Sequence, residues 1–319
     1  MSSPLRRELG QVRPLLRRYN LPMRCVMVIL LTVLVSHASG EQLPSALTQD
    51  PPADKAYPAA MQSFQIPSHD GKLDALMYIA AGFGPHPTVV LLHGFPGNEK
   101  NLDLAQAIRR DGWNVLWFNY RGSWGSPGAF SLTDAIEDTQ TALAYLRDPV
   151  NATRLRVDPA FLVLGGHSMG GMISSIIGAQ DHSLKGVALI SAANMPGRFL
   201  PALRDGNPDP DVAPLAHHLE VMDMYPLAGC TSESLARELT DHAVEWNLSA
   251  QATGLATHPL LAISSDDGLG PATDELVAKI HALKAADAVT AVHFPTDHSY
   301  NDHRIALEIA FLNWLGTLR

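Results

Sequence analysis

The sequence predicts an α/β protein: a mainly parallel eight-stranded sheet, helices on both faces, and a small helical insertion after the sixth strand. Three observations predict it. Runs such as Thr88–Leu92 (TVVLL), Phe161–Leu164 (FLVL) and Val187–Ile190 (VALI) are continuously apolar, as strands covered on both faces must be. Segments with apolar residues at helical spacing follow them. The two patterns alternate along the chain, which is how βα units stacked in one sheet read.

Residues 1–40 stand apart. They hold Arg6, Arg7, Arg13, Arg17, Arg18 and Arg24 against one acid, Glu8. The 11-residue apolar run Cys25–Val35 then exits into Ala38-Ser39-Gly40. A basic segment, a short apolar run and small residues describe an export leader. A membrane span needs roughly 20 apolar residues, and Arg24 argues against extending the run back to Leu21. Translation from Met23 would leave a more compact leader. The expected location is periplasmic or secreted, with no integral span in the mature chain; the competing reading is anchorage by an uncleaved leader. The two cysteines are Cys25, inside the leader, and Cys230, so removal of the leader leaves no intrachain disulfide.

Residues 41–60 (EQLPSALTQDPPADKAYPAA) are Pro/Ala-rich and aperiodic and read as a linker. The body, 61–319, opens with strand-like Gln62–Ile66 and Leu73–Ile79 around the turn Ser68-His69-Asp70-Gly71, a pair compatible with antiparallel edge strands. Strand Thr88–Leu92 precedes a helix marked by Leu102, Ala105 and Ile108. Strand Asn114–Phe118 precedes one marked by Leu132, Ile136, Leu143 and Leu146. Phe161–Leu164 leads into helix Met169–Ile177, and Val187–Ile190 follows. The alternation stops between 194 and 257, where five prolines precede helix-like pieces. A connection this long often covers a site, and it is expected to be a lid. Strand Leu260–Ile263, a helix through Leu276 and Ile280, strand Thr290–Phe294 and a helix through Ile305 and Leu312 complete the chain.

The formal charge is −9, and removing the +5 of residues 1–40 leaves −14 in 41–319. No basic stripe offsets it, so a nucleic-acid partner is excluded. No G-x-G-x-x-G follows a strand and no P-loop lysine is present, so no nucleotide cofactor is expected. His217-His218 with Asp297 and His298 does not make a metal constellation, and no cofactor of any kind is implied.

The chemistry is concentrated in FLVLGGHSMGG, 161–171. Gly166-His167-Ser168-Met169-Gly170 fits G-x-S-x-G at a strand-to-helix turn, where small neighbours let the chain expose a serine hydroxyl. Ser168 is the candidate nucleophile. Met169 N–H, at the helix start, faces developing negative charge. His93-Gly94-Phe95-Pro96-Gly97 ends the first fully apolar strand, and Phe95 N–H is the candidate second oxyanion donor. His93 reads as a loop-holding residue.

On HGFPG, Asn119-Tyr120-Arg121-Gly122 and GHSMG, residues 63–317 resemble the α/β-hydrolase superfamily, and in detail its dienelactone-hydrolase-like and prolyl-oligopeptidase-like serine hydrolases. Ser168 stands where the dienelactone branch has cysteine, and no β-propeller precedes the body within this sequence. The resemblance implies a triad in the order nucleophile, acid, histidine. It places the acid in Ser264-Ser265-Asp266-Asp267-Gly268, with Asp267 favoured over Asp266, and the base at His298 in Pro295-Thr296-Asp297-His298-Ser299, with His303 the alternative. The corresponding stretch after the sixth strand, Ser191-Ala192-Ala193-Asn194, has no carboxylate. Asp297 reads as a loop hydrogen-bonder, Asn301 or Asp302 as a helix cap. Arg121 reads as a loop tie, reaching Glu137 or Asp138. Trp124, Met195, Met222 and Met224 are candidate substrate-pocket residues.

The implied activity is covalent serine catalysis on a small carboxylic ester. A short-peptide hydrolase is the alternative, and a non-catalytic binding protein on the same fold is a third reading opposed by the complete Ser/Asp/His set. Oligomeric state is not encoded in any of these signals.

If the leader is cleaved, intact-mass measurement on material exported by a secretory host will find an N-terminus near residues 38–42. Membrane-bound protein that retains Cys25 would show the opposite.

Overall fold

The computed structural model describes residues 43–207, 209–283 and 289–319; the expected leader lies outside them. The strands are β1 (Ala60–Ser68), β2 (Gly71–Ile79), β3 (His86–Leu92), β4 (Asn114–Phe118), β5 (Val157–His167), β6 (Gly186–Ile190), β7 (Leu260–Ser265) and β8 (Val289–Phe294), the continuous apolar runs lying in the central ones. They pair in the order β1-β2-β4-β3-β5-β6-β7-β8. β1 and β2 are antiparallel to each other and β2 to β4, while the remaining pairs are parallel. This is the mainly parallel eight-stranded sheet that the sequence predicts.

The helices are α1 (Leu102–Arg110), α2 (Leu132–Arg147), α3 (Pro149–Leu155), α4 (Met169–Gln180), α5 (Leu200–Arg204), α6 (Ala213–Val221), α7 (Ser232–Asp241), α8 (Ala252–Leu255), α9 (Gly270–Ala282) and α10 (Arg304–Thr317). Alternate residues of each central strand point to opposite faces. Val90, Leu92 and Leu164 join Leu143, Ile173 and Ile280 on one face; Val89, Leu91 and Val163 join Ile108, Phe311 and Trp314 on the other. Helix α3 is absent from the sequence reading. Its signal is Asp148-Pro149, for the Asp148 carboxylate accepts from the N–H groups of Val150 and Asn151 with proline in the first turn. Within the expected linker, Ser45–Leu47 makes a 3₁₀ turn whose Ala46 is buried and accepts a hydrogen bond from Arg110.

The helical insertion leaves the sheet after β6, as predicted, and its apolar residues do find a core to join. Leu215, Leu219, Leu235, Leu239, Trp246 and Leu255 are continuous with the core on the α2/α4/α9 face. The Glu238 carboxylate in α7 accepts from Leu132 and Thr133 N–H, capping α2 from outside. The cover is thereby anchored to the body by burial and by charge. No helix among the described residues is long and apolar enough to cross a membrane.

The turn between β1 and β2 is held from below by Arg121. Its side chain is 4% exposed and meets Asp138 at 2.6 Å, Glu137 at 2.9 Å and Asp70 at 3.0 Å. The Asp138 carboxylate also accepts from Arg121 N–H and Ser68 Oγ, at 2.8 and 2.6 Å. Burial works against the guanidinium charge, but the carboxylates of Glu137, Asp138 and Asp70 outweigh it. Removing one member of a buried pair strands the other charge, at a cost of about 3–5 kcal/mol. Arg121→Met is therefore expected to lower the unfolding free energy from urea titration by that order, through a lower midpoint with the slope unchanged. Arg121→Met with Asp138→Leu should recover part of the loss.

Candidate active site

β3 and β5 lie side by side in the sheet, with Leu91 opposite Gly165 and Leu92 opposite Gly166. At the end of β5 the chain turns into α4 through Ser168, whose φ is 58° and ψ −118°. A side-chain-bearing residue in that region is strained, and such strain gathers at functional turns. Crowding explains the glycines beside it. A Cβ on Gly166 would stand 2.2 Å from Gly170 O, and one on Gly170 would stand 2.6 Å from Leu92 O. A Cβ on Gly94, in the β3 loop, would come within 2.9 Å of Ser168 Cβ. The β3 loop and the serine turn are in backbone contact, and only glycine permits it. Neither Phe95 N–H nor Met169 N–H has a hydrogen-bond partner among the described residues.

Asp267 and His298 come from the loops after β7 and β8. The Asp267 Oδ2 to His298 Nδ1 distance is 2.7 Å, with Asp267 4% and His298 38% exposed. Asp266 does not share this contact; it pairs with His293 at 3.1 Å. His303 pairs with Asp302 at 2.9 Å and ends the loop into α10. Ser168 Oγ has no hydrogen-bond partner among the described residues. The hydroxyl and the His298 ring both line the same two cavities.

Residues that the sequence reading did not single out hold this arrangement. Burial pushes the Asp267 carboxyl up, but hydrogen bonds from His298, Leu269 N–H, Ser191 and Ser265 outweigh it and hold it well below the usual carboxylate range. Ser191 Oγ in turn meets Ser265 Oγ at 3.0 Å and the buried Tyr300 hydroxyl at 2.8 Å. Ser191 occupies the place after β6 where no carboxylate was found, and it supports the Asp267 carboxylate from there. His167 lies under His298, ring centroids 4.5 Å apart, and its Nε2–H donates to the His298 carbonyl at 2.8 Å. Burial, and then the proximity of His298, push the His167 pKa down to about 4, so at neutral pH its ring is uncharged. Arg304 donates to Ser299 O at 3.0 Å and Asn101 Oδ1 at 3.0 Å, tying the His298 loop to the start of α1. No sequence pattern marks these partners, since they meet from distant positions.

The roles read for the neighbours are placed as follows. His93 is buried, its Nδ1–H donates to Gly94 O at 2.8 Å, and burial takes its pKa down to about 4. Asp297 accepts from Ser299 and Asn301 N–H. Asn301 and Asp302 do not cap α10: its N-cap is His303, Asn301 bonds Asp297, and Asp302 accepts from Thr296.

The serine opens into a cavity of about 290 Å³ walled by Phe95, Asp267, Leu269 and His298 from the body and by Met195, Leu219 and Met222 from the insertion. Met195 and Met222 thus lie where a substrate pocket was expected. Trp124 and Met224 do not line it. Trp124 Nε1–H donates to Pro96 O at 2.7 Å, and its ring lies 4.2 Å from Lys100 Nζ, so it braces the β3 loop from outside. Met224 packs against the core, in the turn after α6. Among the described residues no three His, Cys, Asp or Glu side chains converge as a metal site would need.

Comparison with known proteins follows the same outline. A family model described as alpha/beta hydrolase fold matches residues 87–227. The uncharacterized protein YfhR of Escherichia coli (strain K12) is 28% identical over 234 residues, 68% of this chain and 77% of that protein. A thermostable carboxyl esterase from Bacillus coagulans superposes with a TM-score of 0.60 at 17% identity, covering 81% of this chain and 99% of that one. EstE1, a carboxylesterase from a metagenomic library, gives 0.60 at 19% identity over 86% and 92% of the two chains. Est1E from Butyrivibrio proteoclasticus, with ferulic acid bound, gives 0.61 at 16% over 80% and 98%. At these identities the structural likeness establishes the fold. With its sheet order, its glycine-packed serine turn and the family match across β3 to the insertion, this chain has the α/β-hydrolase fold.

Proposed function

We propose that this chain is a serine hydrolase that cleaves carboxylic esters through an acyl-enzyme. The observation that carries the reading is the Asp267–His298 contact of 2.7 Å facing the cavity into which Ser168 opens. In this reading His298 Nε2 takes the Ser168 proton as Oγ attacks the carbonyl carbon, and the C=O electron pair moves onto oxygen. Asp267, accepting from Nδ1–H, fixes the tautomer that leaves Nε2 free and stabilises the imidazolium that forms. Phe95 N–H and Met169 N–H, uncommitted elsewhere, hold the oxyanion. His298 then returns the proton to the departing alkoxide. A water molecule, deprotonated by the same nitrogen, releases the acid and restores Ser168. Carboxylesterases among the superposable structures favour esters as the substrate class.

The experiment is labelling with a serine-directed fluorophosphonate, followed by kinetics on p-nitrophenyl esters. Ser168→Ala should lose label and turnover together with little change in Tm; label at another serine would overturn the assignment. His298→Ala and His303→Ala separate the two histidines. Loss of the base costs on the order of 10⁴-fold or more in kcat/KM, whereas His303→Ala should leave the rate close to wild type.

Chain-length preference tests the insertion. Met222 walls the cavity and Met224 does not, so Met222→Ala is expected to shift the optimum towards longer acyl chains in a C2–C12 series. Each methylene is worth about 1–3 kcal/mol in an apolar pocket. Met224→Ala should change stability without moving the optimum.

A further inference from the structure

The charged groups on the wall of the serine cavity are Asp267, bonded to His298, and Arg198. Arg198 lies in the 3₁₀ turn Met195–Phe199 that opens the insertion. Among the described residues it meets no carboxylate within ion-pair distance and donates no hydrogen bond, in contrast to Arg121 and Arg304. It also lines a second, outer cavity of about 690 Å³, which shares Arg198, Leu215 and His218 with the inner one. Arg198 therefore stands where the walls of the two cavities meet, with Leu215 beside it on both. Asp211, also on the outer wall, lies beyond ion-pair distance of it and accepts from Ala213 N–H at the start of α6. An arginine with open donors beside apolar walls suits a planar anion presented at the end of a carbon chain.

Resting on the esterase reading, we propose that the substrate is an ester carrying one carboxylate a few carbons from the scissile carbonyl, and that Arg198 receives this carboxylate. Leu219, Met222 and Leu269 enclose the intervening carbons, and His218, which like Arg198 lines both cavities, is a further polar group on that wall. The apolar wall selects chain length, and the guanidinium selects charge.

The test uses the full chain with two p-nitrophenyl substrates of equal length, the glutaric acid hemi-ester and its methyl-capped diester. Wild type should favour the hemi-ester in kcat/KM by about tenfold, a charge-assisted hydrogen bond's worth, and added NaCl should erode the preference. Arg198→Gln should collapse the ratio of the two kcat/KM values, and Arg198→Lys should restore part of it. Arg198→Gln that lowers both rates by one factor, or a wild type that favours the methyl ester, would overturn the carboxylate site while leaving the esterase reading standing. Hydrolysis of neither ester by fluorophosphonate-reactive wild type would overturn the esterase reading and this inference with it.

Discussion

Lack of room at the edge where β3 and β5 end is the constraint on which the site depends. Ser168 is pinned at φ 58° by β5 on one side and α4 on the other. The backbone of the β3 loop passes so close that a Cβ on Gly94 or Gly170 would collide with it or with the serine. A strained residue persists only where its surroundings over-determine it. Here they do so through buried strands on both sides and a helix start that admits no other path. Phe95 N–H and Met169 N–H, one on each side of this contact, stay uncommitted.

A second layer of interactions sets the histidine and its acid against this edge. Asp267 is buried, which by itself disfavours its charge, and a set of donors reverses the balance. Ser191, just after β6, and Ser265, in β7, support the carboxylate directly, and Tyr300, in the loop before α10, meets Ser191. His167 holds the His298 backbone while remaining uncharged. A cation there would compete with the imidazolium that the proposed reaction forms, so burial of His167 serves both packing and chemistry. The insertion is fixed in the same manner: its apolar side chains complete one face of the core and Glu238 caps α2. Its cavity wall of Met195, Leu219 and Met222 is thereby attached to the body.

The βα order, the eight strands and the position of the insertion were legible in the sequence because they are written as local periodicity. Apolar runs, helical stripes and their sudden loss between 194 and 257 need no tertiary information. GHSMG and HGFPG were legible for a related reason, since glycines forced by close backbone approach stand next to the serine they accommodate. Helix α3 was legible too, through Asp148-Pro149, and was overlooked because seven residues carry little periodicity.

Other features were decided only by the folded chain. Sequence alone left Asp266 and Asp267 adjacent and His298 and His303 five apart; which pair meets depends on how the loops after β7 and β8 leave neighbouring strands. Trp124 and Met224 looked like pocket residues by composition, yet one braces a loop and the other packs on the core, because facing is set by the turn each occupies. The support from Ser191, Ser265, Tyr300 and His167 joins positions up to 131 residues apart, and a single sequence holds no record of such distances. Arg198 is the same case: nothing in the sequence singled it out, and only the fold puts it on the wall of the cavity into which Ser168 opens. Local periodicity and backbone crowding are short-range and survive in the sequence, whereas the partners of a polar side chain are chosen by packing over the whole sheet.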